Sequence, residues 1–273
     1  MNFERFRVQQ HLETSLGCNN LENWHSYRNA LESFHLPHQG VDEINKYLLE
    51  DGEDLFYKGL LSLGEALVEI TQGKHSWATV KLYYSVFYFL RASLATKGVA
   101  IIRNGSLYVL EVRAGKSPEK RGSKKYRNDH IGIINIYKDI IGENDILLTN
   151  TINNQSVYEW LMGNRHQVNY RQRGFLEPDF SGIYHQARDA LCGNGFSRLL
   201  DQYLEDNIPI YCFDEEHACI AAPIKRAEFT KRDLVGAGIK ELSSKKLNAA
   251  KLMLDKCLQP ESKILELYNE ANI

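Results

Sequence analysis

The segment that most limits how this chain can fold is WATVKLYYSVFYFLRASLATK, residues 77–97. It is apolar or aromatic at most positions and contains neither Pro nor Gly. Its length predicts a helix rather than a strand, despite the aromatic content. An amphipathic helix can lie on a surface, but one that is apolar on every side has to be enclosed by other elements. The chain must therefore supply amphipathic partners around it, and 273 residues with 43% apolar content are enough to do so. The most apolar stretch, residues 80–90, falls short of the about 18 apolar residues of a membrane span and is rich in tyrosine.

The partners are legible as periodic segments. Trp24, Leu31 and Phe34 recur at helical spacing over 21–34 and are followed by the breakers Pro37 and Gly40. Residues 41–50 read as a short helix. A second helix over 54–71 carries Leu55, Leu60, Leu63, Leu67 and Ile70 and ends at Gly73. After Gly98, VAIIR and SLYVLEV read as strands joined by Asn104-Gly105, a pair suited to a type I′ hairpin turn. Residues 113–127 read as a loop broken by Gly115, Pro118 and Gly122. Ile133, Ile134, Ile136, Tyr137, Ile140 and Ile141 give 131–141 an apolar helix face, ended by Gly142. Further helices are predicted over 156–171 (Val157, Trp160, Leu161 and Val168 inward), over 179–191 (Phe180, Ile183, Tyr184, Ala187 and Leu191 on one side), and over 196–204 after Gly193 and Gly195. Past residue 206, IPIYCF and HACIAAPI read as two strands around an acidic turn, followed by helices over 243–258 and 261–271. The fold class is mostly α: a helical bundle with an inserted β-hairpin and a small C-terminal α+β appendage. The expected organisation is an N-terminal helical extension (1–53), a central helical domain (54–205) and the appendage (206–273).

A net charge of −2 gives no global attraction to nucleic acid, so any such binding has to be local. Cys18, Cys192, Cys212, Cys219 and Cys257 are an odd, scattered set that suggests no disulfide framework, which fits a reducing compartment. The first ten residues carry charge throughout, without an apolar signal core, so the expected location is the cytoplasm.

Local charge concentrates in RGSKKYRNDHIGIINIYK, residues 121–138, and just before it. Residues 113–127 hold seven basic side chains (Arg113, Lys116, Lys120, Arg121, Lys124, Lys125, Arg127) against one acid, Glu119. Arg127 and His130 are three residues apart, so a helix that starts early enough puts both on one face. A cation beside an imidazole suits phosphate contact and proton transfer. A solvated loop with His130 at an ordinary helix start fits the same residues. A second polar cluster comprises Asn164, Arg165, His166, Asn169, Tyr170 and Arg171. Arg165/Asn169 and His166/Tyr170 are spaced i,i+4, so each pair shares a face. Arg165, His166 and Tyr170 suit a phosphodiester, and they equally suit internal hydrogen bonding. Cys212, His217 and Cys219 offer too few ligands for a metal site and read as part of a strand pair. The phosphate-loop, dinucleotide, zinc-protease and serine-hydrolase motifs are absent from the sequence, and neither metal nor cofactor is expected.

The order of KLYYSVFYFLRASLATKG, NDHIGIINIYKDIIG, NRHQVNYRQRGF and YHQARDAL resembles the HEPN superfamily over about 54–204. The resemblance implies a small, usually dimeric α-helical domain of the kind found in prokaryotic toxin–antitoxin, CRISPR-linked and antiviral systems. Ribonuclease members carry an Arg, four to six variable residues and a His, and pair these across a dimer. Here Arg165 is followed at once by His166, and Tyr170 or Arg171 stands where the distant His would fall. The expected role is a non-catalytic component of a defence or toxin-type system. It would bind RNA or DNA through Arg113, Lys116, Lys120, Arg121, Lys124, Lys125 and Arg171, or dock a protein partner of the same system, as a homodimer or a subunit of a complex away from membranes. Two alternatives stay open. One is metal-independent ribonuclease activity using Arg127, His130, Arg165, His166 and Tyr170. The other is a purely structural subunit.

Overall fold

The apolar segment forms helix α4 (His75–Thr96), buried on most of its circumference. The structure is a computed structural model that describes residues 5–171, 173–175, 177, 182–191, 195–239 and 244–269. Phe180, Cys192 and Gly193, which figure in the sequence reading, lie outside the described residues. The helix before α4 is α3 (Val41–Thr71), one continuous 31-residue helix where two were predicted. The predicted boundary between residues 53 and 54 falls inside it. Gly52 sits in mid-helix because a Cβ there would meet the Ala95 Cβ at 3.2 Å. At Gly59 a Cβ would lie 2.3 Å from the Phe89 ring. The two glycines let α3 and α4 pack backbone to side chain along antiparallel axes.

The rest of the enclosure comes from α5 (Asp129–Ile141), α6 (Val157–His166) and α9 (Glu215–Gly236), all against α4. A β-sheet of strand order β1 (Val99–Asn104), β2 (Ser106–Glu111), β3 (Glu119–Lys120) closes one end. The hairpin differs from the prediction at its turn. Asn104 pairs with Ser106, and Gly105 alone takes positive φ at the tip. Asn104 is buried, and its Nδ2 donates to the Trp24 carbonyl at 2.7 Å. That bond holds it in the strand rather than in a left-handed turn. β3 pairs with β2 within the stretch predicted as loop.

At the N-terminus, α1 (Arg7–Ser15) is anchored by the Asp51 carboxylate, which accepts from the Arg7 and Val8 backbone N–H groups at 2.8 and 3.1 Å. With the short α2 (Arg28–Ser33) it builds a smaller core on the hairpin, where Leu12, Trp24, Leu31, Ile102, Tyr108 and Leu110 meet.

The C-terminal part corrects the sequence reading. Among the described residues past 206 there is no strand, so the predicted α+β appendage is helical. Within IPIYCF, Ile210–Phe213 is a short 3₁₀ turn, and HACIAAPI lies inside α9. A continuous apolar run does not by itself distinguish a buried strand from a buried helix. Here the acidic residues decide it: Asp214 caps α9 by accepting from the Glu216 N–H at 3.0 Å, and Glu215 and Glu216 occupy its first turn. Ala218, Ala221, Ala222 and Ala227 are fully buried, so α9 belongs to the main core. α7 (His185–Leu191), α8 (Phe196–Glu205) and α10 (Ser244–Leu254) complete the helical shell. No described helix is long and apolar enough to cross a membrane.

Arg226 of α9 ties these layers together. Its Nη1 donates to Asp145 Oδ2 at 3.0 Å and to the Tyr137 hydroxyl at 2.6 Å. Its Nη2 reaches Ser93 and Asp233, each at 3.2 Å, and its Nε reaches Thr230 at 3.1 Å. Every nitrogen of this buried guanidinium has a partner, and two carboxylates balance its charge.

An alanine in the middle of a helix normally stabilises relative to glycine by about 0.5–1 kcal/mol. Gly163, exposed in α6 with no atom closer than 3.9 Å to its would-be Cβ, should follow that rule. Gly59→Ala should reverse the sign and cost about 1–3 kcal/mol, because Phe89 must move in a filled core. Urea unfolding midpoints of the two variants check this. A stabilised Gly59→Ala would show that the α3–α4 contact is looser than described.

Candidate functional site

His130 owes its position to the start of α5. Asn128 caps the helix, its side chain accepting from the Ile131 N–H at 2.9 Å, so His130 is the second helical residue. Gly132 lets α5 press onto β2, since a Cβ there would fall 2.7 Å from Leu107. The His130 ring thereby enters an aromatic pocket on α4, with centroids 5.5 Å from Tyr83, 5.5 Å from Tyr84 and 5.0 Å from Phe87. Its Nδ1 lies 2.9 Å from the Tyr83 hydroxyl. Burial pushes the imidazole pKa down, the nearby Arg165 charge pushes it further, and Asp129 partly opposes both.

Arg165 reaches the same pocket from α6, whose N-terminus is fixed by a Ser156/Glu159 capping box. The residue is 8% exposed. Its guanidinium lies over the rings of Tyr84, Tyr170 and Tyr83 at 5.3, 5.4 and 5.7 Å. Nη2 donates to the Tyr84 hydroxyl at 3.0 Å and reaches the Tyr170 hydroxyl at 3.5 Å, while Nε is buried without a partner. Among the described residues no carboxylate pairs with it.

Tyr170 meets Arg165 because α6 widens into a π-helical turn over Gln167–Arg171. Residues five apart lie on different faces of an α-helix, whereas a π turn brings them round to the same side. The predicted His166/Tyr170 pair forms, with rings 5.1 Å apart. Tyr170 is 64% exposed and His166 is exposed beside it, so this pair faces solvent over the buried cation.

Arg127 stays outside. With Asn128 as the cap, Arg127 precedes α5 and does not share a helix face with His130. It is exposed and makes no hydrogen bond or ion pair with the described residues. The basic loop is more compensated than its composition suggests. Glu111 pairs with Lys116 at 2.9 Å and Arg113 at 3.7 Å, Glu119 pairs with Arg121 at 3.3 Å, and Asp139 pairs with Lys125. Lys120, Lys124, Arg127 and Arg171 remain exposed without ion pairs among the described residues.

Tyr83 and Tyr84 are site residues that the sequence reading assigned to the core. Two adjacent tyrosines in a helix apolar all round were the available signal, since both hydroxyls require partners when buried. Cys212 and Cys219 do not face each other across a hairpin. Cys212 is buried in the 3₁₀ turn, and Cys219 on α9 lies 3.3 Å from the Tyr184 hydroxyl, with burial pushing its thiol up to about 12. His217 bonds the Tyr203 hydroxyl at 2.8 Å instead of joining them. Among the described residues, no three His, Cys, Asp or Glu side chains gather into a metal-holding group.

The arrangement presents hydrogen-bond donors to an anion. Burial raises the Tyr83 pKa, so the phenol keeps its proton, and it has no other acceptor among the described residues. When its O–H donates to Nδ1, the proton of the neutral imidazole sits on Nε2; when it accepts, the proton sits on Nδ1. Comparison with models of known protein families, with curated proteins and with solved structures finds no match for this chain.

In a titration followed by NMR, His130 should titrate below the usual value of about 6.5, and Arg165→Met should raise it by removing the repelling charge. Because the folded value is the lower one, the unfolded chain takes up the proton first as pH falls. The stability owed to neutral His130 is complete above about pH 6.5 and is lost from there down to the folded value. His130→Gln should flatten that part of the stability–pH curve. A parent curve and a variant curve of equal slope would show that His130 is not desolvated.

Proposed function

We propose that this chain is a HEPN-like component of a prokaryotic defence or toxin-type system, and that it binds single-stranded RNA without cleaving it. The observation that carries this reading is the uncompensated charge of Arg165. Burying a guanidinium costs several kcal/mol unless a counter-charge and hydrogen bonds offset it. At Arg226 two carboxylates do so. At Arg165 only aromatic rings and hydroxyls are present, and one N–H has no acceptor. A phosphate oxygen supplies both the charge and the acceptor.

The surroundings support the same ligand. With its proton on Nε2, His130 is a second donor. The exposed rings of Tyr170 and His166 offer stacking faces for a splayed base. Lys120, Lys124, Arg127 and Arg171 are free to follow a phosphate backbone. The sequence argues for binding over catalysis, because His166 follows Arg165 at once and Tyr170 or Arg171 stands where a distant His would fall.

The convergence of His130 and Arg165 from separate helices favours one alternative, metal-independent cleavage. With Nε2 unprotonated, His130 would take the proton of a ribose 2′-hydroxyl as its oxygen attacks phosphorus, Arg165 would stabilise the charge on the phosphorane, and the P–O5′ bond would break with the 5′-oxygen protonated by the imidazolium or water.

Fluorescence anisotropy with a single-stranded RNA in EDTA separates the readings. Arg165→Met should weaken binding about 10- to 100-fold, the worth of one charged hydrogen-bond pair. Replacing Lys120, Lys124 and Arg127 together by Ala should reduce the salt slope by about 2, while the same change at Lys116, Arg121 and Lys125 should alter it much less. RNA recovered intact supports binding alone. Cleavage that disappears in both His130→Ala and Arg165→Ala supports the alternative. Absence of RNA affinity in the folded protein overturns both.

A further inference from the structure

Ile208 and Ile210 are the two most exposed large apolar side chains among the described residues, at 72% and 67%. They stand two apart on the turn that joins α8 to α9, on either side of the buried Pro209. The turn is held in place by its own bonds. Asp206 accepts from the Ile208 and Tyr211 backbone N–H groups at 3.2 and 3.3 Å, and the Cys212 N–H donates to the Pro209 carbonyl at 3.1 Å. The Tyr211 ring lies 5.4 Å from that of Tyr203 and 4.9 Å from that of His217. A side chain presented on a preorganised turn loses little freedom when a partner covers it.

The charge around this apolar pair has one sign. Residues 199–224 hold six acids and neither Lys nor Arg. Glu205 pairs with Lys263. Asp206 and Asp214 accept from backbone N–H groups, and Glu215 and Glu216 accept from the amides of Asn153 and Gln186. None of these last four pairs with a cation among the described residues. A complementary partner for the turn therefore brings an apolar recess with a surplus of positive charge.

The chain itself has such a recess. A cleft of about 950 Å³ formed by α1, α3, α4, the hairpin and α5 has Leu61, Ile101, Leu107 and Ile133 in its wall. Arg91 and Lys58 line it too, 4.4 and 5.1 Å from the Phe6 ring centre, and neither pairs with a carboxylate among the described residues. Arg91 Nε is buried without a hydrogen-bond partner. The acids of the cleft are already engaged, Glu13 by Arg5, Asp51 and Asp54 by Arg7, and Asp129 by Arg103. We infer that the Ile208–Ile210 turn of one copy seats in this cleft of a second copy, with the acids that flank the turn meeting Arg91 and Lys58. The second copy supplies the counter-charge that the cleft lacks. The contact joins two different patches, so it runs head to tail. It differs in this from a twofold dimer, in which one patch meets itself. It is independent of RNA binding at Arg165, which does not line the cleft.

Two variants of the full chain at exposed positions test it, each checked for folding by circular dichroism. Ile208→Asp combined with Ile210→Asp blunts the turn and leaves the cleft intact. Lys58→Glu reverses a charge of the cleft and leaves the turn intact. Fluorescently labelled copies titrated with unlabelled ones report each pairing. The parent should associate with itself, more weakly as salt is raised. Each variant should bind its own kind at least tenfold more weakly than parent binds parent. The turn variant mixed with the cleft variant should recover near-parent affinity, because one intact turn then meets one intact cleft. The two added aspartates would strengthen a contact made by charge alone, so tighter self-binding of the turn variant overturns the apolar seat. The proposal is equally overturned if the parent does not associate at millimolar concentration. It also fails if the mixed pair is no tighter than the like pairs, which would place the contact elsewhere on the surface.

Discussion

The close contact between α3 and α4 is the constraint on which the rest of the molecule depends. A helix without a polar side is stable in water only when other elements surround it. The deepest part of that enclosure is where Gly59 lies under the Phe89 ring and Gly52 against Ala95. With α3 seated there, α5, α6 and α9 fill the remaining circumference and the hairpin covers one end. The side chains of α4 that are not purely apolar then have fixed surroundings. Ser93 goes to Arg226, Tyr83 and Tyr84 to His130 and Arg165, and Arg91 to Phe6.

Three arginines in contact with this one helix meet three different fates. Arg226 is surrounded by acceptors and two carboxylates, and it acts as a structural tie. Arg165 is held by tyrosine rings and hydroxyls. Arg91 is held by phenylalanine rings. Cation–π contacts of this kind contribute about 0.5–2 kcal/mol each, less than the several kcal/mol that burial of a charge removes. Arg165 therefore remains under-compensated where Arg226 is not.

Much of this was legible in the sequence where the period was unambiguous. The helices around Leu82, Ile133 and Trp160 appear where the apolar spacing places them, and so do the two hairpin strands. The misreadings have separate physical causes. The single helix over 41–71 was read as two, and the contact that Gly52 makes within it is with Ala95, which is distant in sequence. HACIAAPI looked like a strand because a helix buried on all sides has no polar period to reveal it. α1 was missed because it buries only two apolar side chains, Val8 and Leu12, and its start is fixed by Asp51, which is distant in sequence. At the candidate site, the sequence supplied His130, Arg165, His166 and Tyr170 but not what joins them. The π turn that carries Tyr170 over Arg165 has no local signature, and the tyrosines that bridge to His130 come from a helix some 47 residues earlier. Arg127 was grouped with His130 by spacing alone, and the cap at Asn128 separates them.

Tyr84 and Arg91 are seven residues apart on α4, two helical turns or about 10 Å along the axis, so they project in nearly the same direction. Because α4 is gripped around its circumference, it acts as a ruler with two marks. Lengthening it by one residue between those marks would rotate one relative to the other by about 100° and turn a cation into the core. A one-residue length change within residues 84–91 is therefore expected to disturb the packing of α4 more than one in a surface loop. A sequence that shares this architecture is expected to keep that seven-residue interval even where the basic loop and the C-terminal helices have drifted beyond recognition.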